Sequence, residues 1–503
     1  MNRTIFSKLL RLHLISPRGI CRLIRSFACE GISLMALLRF TSIYYPGRCA
    51  LVSSEKRFSF KELYDNARRL AQMLHADYGL KAGMCVGLMC RNHALMALLL
   101  PALSRLGVNV KLINTDIAPN KVTDLVRHYH LGLLVYDDEL EEKRVTHELP
   151  CPTKKSEDLY HEVMNLPKDF TASLPHIKRG GMISVFTGGS SGKRKEATRK
   201  LSVFQYLPPF RALLQELRID EYDSVLLPLP VYHGFGLATL ITSLVMGKKV
   251  CLMNHFNADE ALKIIAHERI EVLTVVPAML ARLWLANNAP ELMKTVKCII
   301  CGGDRLDKKW VDITQKHLGD VLFNLFGTSE AGFFMIASPD DLSRYEEVTI
   351  GRPIRGVKCK VEQMDSHGVG SLWVCSGWAM MSAKDKWQDT GDLVYRNADG
   401  CYFYRGRSDN MVVCGGENVY PENVEKIINS HPQVLTSMVY PAPDSRFGSI
   451  LNATVELKSG ATSTPEEIKA WLHTRLSRAE MPHDITISAI ATLETGKMSR
   501  RRD

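Results

Sequence analysis

Ile183-Ser184-Val185-Phe186-Thr187-Gly188-Gly189-Ser190-Ser191-Gly192-Lys193-Arg194-Lys195 joins a strand-like run to a segment of three glycines, two serines, one threonine and two lysines. Glycine allows successive backbone N–H groups to converge on one anion, while hydroxyls and lysines add donors and positive charge. The combination suits a polyphosphate. A solvated Gly/Ser loop is the plain alternative for such a run. The spacing is not that of a Walker A loop, because Thr187 stands where the first glycine is needed and Arg194 follows Lys193.

Outward from this stretch, strand and helix patterns alternate. Ser59-Phe60-Lys61-Glu62 is a capping box that predicts a helix through about Leu74. Cys85–Met89 reads as a strand, Ala94–Leu106 as a helix and Val108–Ile113 as a strand. The alternation resumes from Ser224 to Leu322, with strands at Val225–Leu227, Lys249–Met253, Val272–Val275 and Val296–Cys301. Helices are expected near Leu237–Met246, Asp259–His267 and Ala278–Leu285. This is the signature of α/β layers with largely parallel sheets. From Gly356 to Tyr404, short alternating strands and Gly/Asp turns predict an antiparallel, β-rich subdomain. The last hundred residues read as a small α+β unit, with helices at Pro421–Ser430 and Pro465–Arg478 and strands at Val434–Val439 and Asn452–Leu457. The charged 140s read as a surface loop.

The 503 residues are 46% hydrophobic and 23% charged, the balance of a protein with a large core. No run reaches the ~20 apolar residues of a membrane span. Thirteen cysteines, odd in number and scattered, read as reduced thiols of a cytoplasmic-type compartment. Cys298 and Cys301 have metal-like spacing, but no second pair accompanies them and their strand context favours packing. Eight Lys/Arg residues and one acid, Glu30, occupy the first fifty positions, interleaved with Ile5, Phe6, Leu9, Leu10, Ile20, Leu23, Ile24 and Phe27. Three readings stay open for residues 1–45: a peripheral membrane anchor, a mitochondrial presequence, and a helix packed on the main body with its basic face outward. Nucleic-acid binding is not expected, because the positive charge does not spread along the body.

Six further stretches follow the loop in order. Residues 228–237 read Pro-Leu-Pro-Val-Tyr-His-Gly-Phe-Gly-Leu, and 324–332 read Asn-Leu-Phe-Gly-Thr-Ser-Glu-Ala-Gly. Then come Asp389-Thr390-Gly391-Asp392, Gly406-Arg407-Ser408-Asp409 and Gly415-Gly416-Glu417-Asn418-Val419-Tyr420-Pro421, and finally Thr495-Gly496-Lys497. With these motifs the chain resembles the adenylate-forming, AMP-binding superfamily, most closely its fatty acyl-CoA synthetases, from about residue 40 to the end. It departs at Gly188, where the family favours Ser or Thr, at Arg194, where it favours Pro, at Gly302–Leu306, and at Phe326 in place of tyrosine.

Beside the basic N-terminal segment (1–45), which its own composition marks out, the resemblance implies a large adenylating domain (46–405), a hinge (406–409) and a small mobile C-terminal domain (410–503). It implies ATP, Mg²⁺ and CoA as cosubstrates: a carboxylate attacks the α-phosphate, and the acyl-adenylate then passes its acyl group to CoA. Thr187, Gly188, Gly189, Ser190, Ser191, Gly192, Lys193 and Lys195 would stabilise the leaving pyrophosphate. Gly303, Asp304, Phe326 and Gly327 would bound the adenine, and Thr328 or Ser329 would donate to the α-phosphate. Asp392 would accept from both ribose hydroxyls, with Arg407 beside it. Glu330 would hold Mg²⁺, a hard cation suited to carboxylate oxygen; otherwise it reads as a carboxylate in the first turn of a helix. His233 would stand by the incoming acid. Lys497 would bridge α-phosphate and carboxylate. Asp409 would be the hinge, and Gly415, Gly416 and Glu417 would border the CoA arm. The acid expected is a medium- or long-chain fatty acid, with an aryl or short-chain acid as alternative. With no carrier segment after Asp503, CoA is the expected acceptor and an acyl carrier protein the rival. A catalytically silent ligand-binding homologue is the non-enzyme alternative.

Overall fold

The computed structural model describes residues 3–54, 56–117, 119–141, 149–167, 169–187, 195–199, 206–380, 385–408, 410, 412–414, 417–444 and 448–490. Two largely parallel sheets form the frame. The first runs, across the sheet, Arg352–Pro353, Gly332–Ala337, Leu322–Thr328, Cys298–Gly302, Val272–Val275, Ser224–Leu227, Lys249–Leu252, Cys49–Val52 and Arg57–Ser59. Its six central strands are parallel, and the strands beyond them on both sides are antiparallel. The second runs Thr153–Lys155, Leu131–Tyr136, Cys85–Met89, Asn109–Leu112, Ile183–Thr187 and Lys195–Arg199. Only its last pair is antiparallel.

Buried on both faces, these strands are near-continuous runs of Val, Ile and Leu, which is why they are legible without alternation. Val272–Val275 and Ser224–Leu227 are buried at every position. One apolar core joins the two sheets: Val86, Leu88 and Leu133 of the second share it with Leu226, Val250 and Leu273 of the first. The helix Ala94–Leu106 is buried along its whole length inside that core. Phe60–Ala76 begins at the expected capping box, with Glu62 N–H donating to Ser59 Oγ (3.2 Å) and Ser59 N–H to Glu62 Oε2 (2.8 Å).

The expected antiparallel sheet is present, in the order Val357–Glu362, Gly370–Ser376, Gln388–Arg396 and Tyr402–Arg407. Residues 412–485 enclose a separate core around Val424, Ile428, Val439, Leu451 and Ile468. There the helix beginning at Pro465 ends at Leu472 rather than Arg478. The chain tightens instead into turns in which Arg475 and Leu476 N–H groups both donate to Leu472 O. The strand Val434–Asp444 is longer than expected because Pro441 and Pro443 fall within a two-stranded arm paired to Gly448–Leu457. Residues 142–148 of the expected charged surface loop lie outside the described residues.

The N-terminal segment is docked. Its helices span Arg3–Arg11, Pro17–Glu30 and Leu34–Tyr44. Lys8 is buried, with Nζ 2.9 Å from Asp220 Oδ1 and 3.3 Å from Glu221 Oε1. Glu30 is buried too, accepting from Tyr64 O–H and from Arg105 Nε, both at 2.6 Å. Leu34, Met35 and Leu38 belong to the main core. Cys298 and Cys301 are buried free thiols whose pKa values burial pushes well up, the behaviour of packing residues. Among the described residues, no helix is long and apolar enough to cross a membrane.

Candidate active site

In an open parallel sheet the crevice beyond the carboxyl ends of the strands is where ligands bind. Three expected site segments leave that one rim. Phe326, Gly327 and Thr328 close the strand Leu322–Thr328, Gly303 and Asp304 follow the neighbouring strand Cys298–Gly302, and the loop to His233 follows Ser224–Leu227. In sheet order, Val272–Val275 lies between the last two. Three strand spacings, about 14 Å, therefore separate the phenylalanine end from the histidine end.

Ser329, Glu330 and Ala331 form a tight turn between paired Thr328 and Gly332, with Gly332 at φ +77°. Thr328 Oγ1 braces it by accepting from Ala331 N–H at 3.0 Å. The helical reading of Glu330 thus fails: the chain reverses here into the antiparallel strand Gly332–Ala337. Glu330 is half-buried, and its carbonyl accepts from Met380 N–H at 2.7 Å. Its carboxylate, one hard oxygen donor beside the hydroxyls of Thr328 and Ser329, fits a magnesium ion that takes most of its other ligands from phosphate and water.

The antiparallel sheet brings Asp392 and Arg407 to the same place. They are direct cross-strand partners, Arg407 Nη1 lying 3.2 Å from Asp392 Oδ1 and 2.9 Å from Thr390 O. Asp392 is buried and lies in a strand, not in the turn its Thr-Gly-Asp context also allowed. The Phe326 ring packs edge-on to Phe334 (5.7 Å) and tilted against Tyr404 (6.2 Å). Burial raises the Tyr404 pKa, and the carboxylates of Asp392, Glu422 and Asp304 push it further up. Tyr404 thus stands where Phe326, Asp304 and Asp392 meet, a position not singled out from the sequence. Its signal was present in the aromatic run Tyr402-Phe403-Tyr404 just before Gly406-Arg407.

At the other end, His233 caps the helix Gly234–Val245, its ring centroid 4.8 Å from that of Tyr232. Tyr232 is buried, and its hydroxyl accepts from Thr115 Oγ1 at 3.0 Å. Asn92, beyond the second sheet's strand Cys85–Met89, pins the approach. Its Nδ2 donates to Leu229 O and its Oδ1 accepts from Val231 N–H, both at 2.8 Å. Asn92 and Thr115 were also missed. Polar residues just past a parallel strand would have marked them.

Thr187 and Lys195 are partners in the hairpin formed by Ile183–Thr187 and Lys195–Arg199. Gly188, Gly189, Ser190, Ser191, Gly192 and Lys193, the centre of the expected phosphate loop, lie outside the described residues, as do Asp409, Gly415, Gly416 and Lys497. Glu417 pairs with Cys414 in the short hairpin Val412–Cys414 and Glu417–Val419. The C-terminal unit touches the rim where Arg305 donates to Glu422 O; within the unit Asn410 Nδ2 donates to Glu422 Oε1 at 2.9 Å.

Models of the AMP-binding enzyme and of the AMP-binding enzyme C-terminal domain match residues 42–382 and 423–497. The 2-succinylbenzoate–CoA ligase of Bacillus pumilus (strain SAFR-032) is 26% identical over 425 residues, covering 80% of this chain and 84% of its own. The ligase of the same description from Bacillus subtilis (strain 168) is 25% identical, covering 87% and 90%. Among solved structures, the o-succinylbenzoate CoA synthetase of Bacillus subtilis with OSB-AMP superposes with a TM-score of 0.79 at 23% identity, over 92% of this chain and 96% of that one. An anthranilate CoA ligase with anthranoyl-AMP gives 0.81 at 19% identity, over 94% and 96%. The match across most of the chain establishes that this protein belongs to the AMP-binding enzyme family.

Proposed function

We propose that this protein is an AMP-forming acid–CoA ligase whose acid is aromatic. The observation that carries the reading is the shared rim. Residues suited to a nucleotide (Gly303, Asp304, Phe326, Asp392, Arg407) and residues suited to an acid (Tyr232, His233) leave the carboxyl edge of one sheet or close upon it. The aryl-acid class is supported by the names of the relatives, 2-succinylbenzoate–CoA ligases and an anthranilate CoA ligase. They favour the aryl alternative over the fatty acid expected from the sequence.

In this reading a carboxylate oxygen attacks the α-phosphorus of ATP, the bond to the bridging oxygen breaks, and pyrophosphate leaves. The CoA thiolate then attacks the acyl carbon and AMP departs. Asp392, held by Arg407, accepts from the ribose hydroxyls. Phe326 and Tyr404 wall the base. Thr328 and Ser329 donate towards the α-phosphate, and Glu330 would hold magnesium, which would supply neutralisation of phosphate charge. The loop Thr187–Lys195 covers the leaving pyrophosphate, while Lys497 draws the two anions together. Asp409 serves as the hinge, and Gly415, Gly416 and Glu417 border the pantetheine arm. We place the reaction in the cytoplasm, a compartment consistent with thirteen free cysteines.

Pyrophosphate exchange with 2-succinylbenzoate, benzoate, anthranilate, octanoate and palmitate tests the acid, and thioester formation with CoA or an acyl carrier protein tests the acceptor. Exchange fastest with an aryl acid is expected. Exchange with the fatty acids alone would reinstate the fatty-acid reading, and none with any acid would leave a silent homologue.

A further inference from the structure

The first two helices present an outer face that is exposed among the described residues. On Pro17–Glu30 the inward stripe is Gly19, Ser26 and Glu30, all buried. The opposite side is exposed, with Ile20 at 44% and Ile24 at 62%. At 100° per residue, Ile20, Ile24 and Ala28 form one flank of that exposed arc and Arg18, Arg22 and Arg25 the other. Leu23 and Phe27, half-buried, continue the apolar flank toward the body. The preceding helix repeats the pattern one turn apart, with Phe6 at 47% and Leu10 at 39% exposed, beside exposed Arg11. Isolated exposed apolar residues are ordinary; four on two consecutive helices, each helix carrying exposed arginine, are not.

Charge identifies the occupant. The only acid among the first thirty residues is Glu30, and it is turned inward onto Arg105 and Tyr64. The exposed face of the second helix therefore carries the guanidinium groups of Arg18, Arg22 and Arg25 and no carboxylate, while on the first helix exposed Arg11 is paired to Asp220 at 3.1 Å. A protein interface of this composition needs a partner both acidic and apolar, whereas an anionic bilayer offers a phosphate plane directly above acyl chains. We propose that helices Arg3–Arg11 and Pro17–Glu30 dock the enzyme on an anionic phospholipid surface, with Phe6, Leu10, Ile20 and Ile24 entering the headgroup–acyl boundary and Arg18 and Arg25 meeting lipid phosphates.

The docking face is built on a rigid mount. Lys8 on Asp220 and Glu221, and Glu30 on Arg105, fix both helices to the body, and Arg22 stacks over the Tyr44 ring at 4.6 Å. Deleting the segment would strip core residues and leave Asp220 and Arg105 without their partners, so point variants on the outer face are the proper probe. Three proteins serve: the full chain, Ile20→Glu/Ile24→Glu, and Arg18→Glu/Arg25→Glu. Each is floated with vesicles of phosphatidylcholine alone and with vesicles containing phosphatidylglycerol, at low and high salt. Thermal unfolding and pyrophosphate release with a water-soluble acid serve as controls that should not change. We expect the full chain to float only with phosphatidylglycerol, salt to weaken it, and each double variant to bind at least ~10-fold more weakly. No flotation, equal flotation with both lipids, or variants that bind like the full chain would overturn the proposal. Loss of a homodimer in the variants, in place of lost flotation, would assign the face to a second copy instead. The outcome is independent of which acid the enzyme activates.

Discussion

Asp392 and Arg407 face each other across one rung of the antiparallel sheet, and the guanidinium lies over Gly391. A Cβ on Gly391 would stand 2.7 Å from Arg407 Nη2, and its φ is +72°. The aspartate thus has one oxygen engaged by Arg407 and a fixed orientation for the other. Asp392→Asn keeps the shape and removes the charged acceptor. ATP binding should weaken by about 1.5–3 kcal/mol, the worth of a hydrogen bond to a charged group. Calorimetric titration with ATP checks this, and an unchanged Kd would refute a nucleotide role for the residue.

Gly234 and Gly236 lie two residues apart in the segment that carries His233, on nearly opposite sides of the helix, and their surroundings differ. A Cβ on Gly236 would stand 2.3 Å from Pro230 O and 2.8 Å from Leu229 O, whereas at Gly234 nothing lies within 4 Å. Gly236→Ala should cost about 1–3 kcal/mol by overpacking and raise KM for the acid. Gly234→Ala should leave stability within about 0.5 kcal/mol. Urea titration of the pair decides it; equal midpoints would mean the Pro230 turn yields freely.

Glu268 ties the edge of the large sheet. Arg57 donates to both its oxygens at 2.6 and 3.0 Å, and Lys249 Nζ lies 3.0 Å away. The Arg57 hydrogen bonds lead in lowering its pKa to about 2, with Lys249 adding to them against the opposing effect of burial. A carboxyl depressed in the folded state contributes stability above its ordinary pKa of ~4.3 and loses it as pH falls toward 2. Glu268→Gln should therefore cost about 1.5–3 kcal/mol at neutral pH, a penalty that shrinks between about pH 4.3 and 2. A penalty constant across that range would deny the ion pair its role.

The parallel strands were legible because doubly covered strands are continuous apolar runs; Val272–Val275 falls where the sequence puts it. The capping box at Ser59 likewise fixed its helix start. What escaped depends on partners distant in sequence. Glu330 looked like a helix opener because Ser-Glu-Ala says nothing about the strand pairing of Thr328 with Gly332. Asn92, Thr115 and Tyr404 carry no motif, and their significance comes from Leu229, Tyr232 and Phe326, each more than seventy residues away. The basic N-terminus was readable as amphipathic but not as anchored, since Asp220 lies 212 positions from Lys8.

On the proposed reading Lys497, carried over from Thr495-Gly496-Lys497 through the resemblance, would serve adenylation and not thioester formation. Lys497→Ala should abolish pyrophosphate exchange by ~10²-fold or more while thioester formation from supplied acyl-AMP survives. Equal loss of both half-reactions would remove its special place in adenylation.

Asn92 makes one side chain serve two sheets. Because its amide holds Leu229 and Val231 at both ends, the lip bearing His233 takes its height from the neighbouring layer rather than from the helix that follows it. The wall formed by Gly234–Val245 is then free to be recut, residue by residue, without resetting the mouth of the crevice. On the proposed reading, substitutions along that helix would change the acid accepted while the height of the lip, set by Asn92, stays the same.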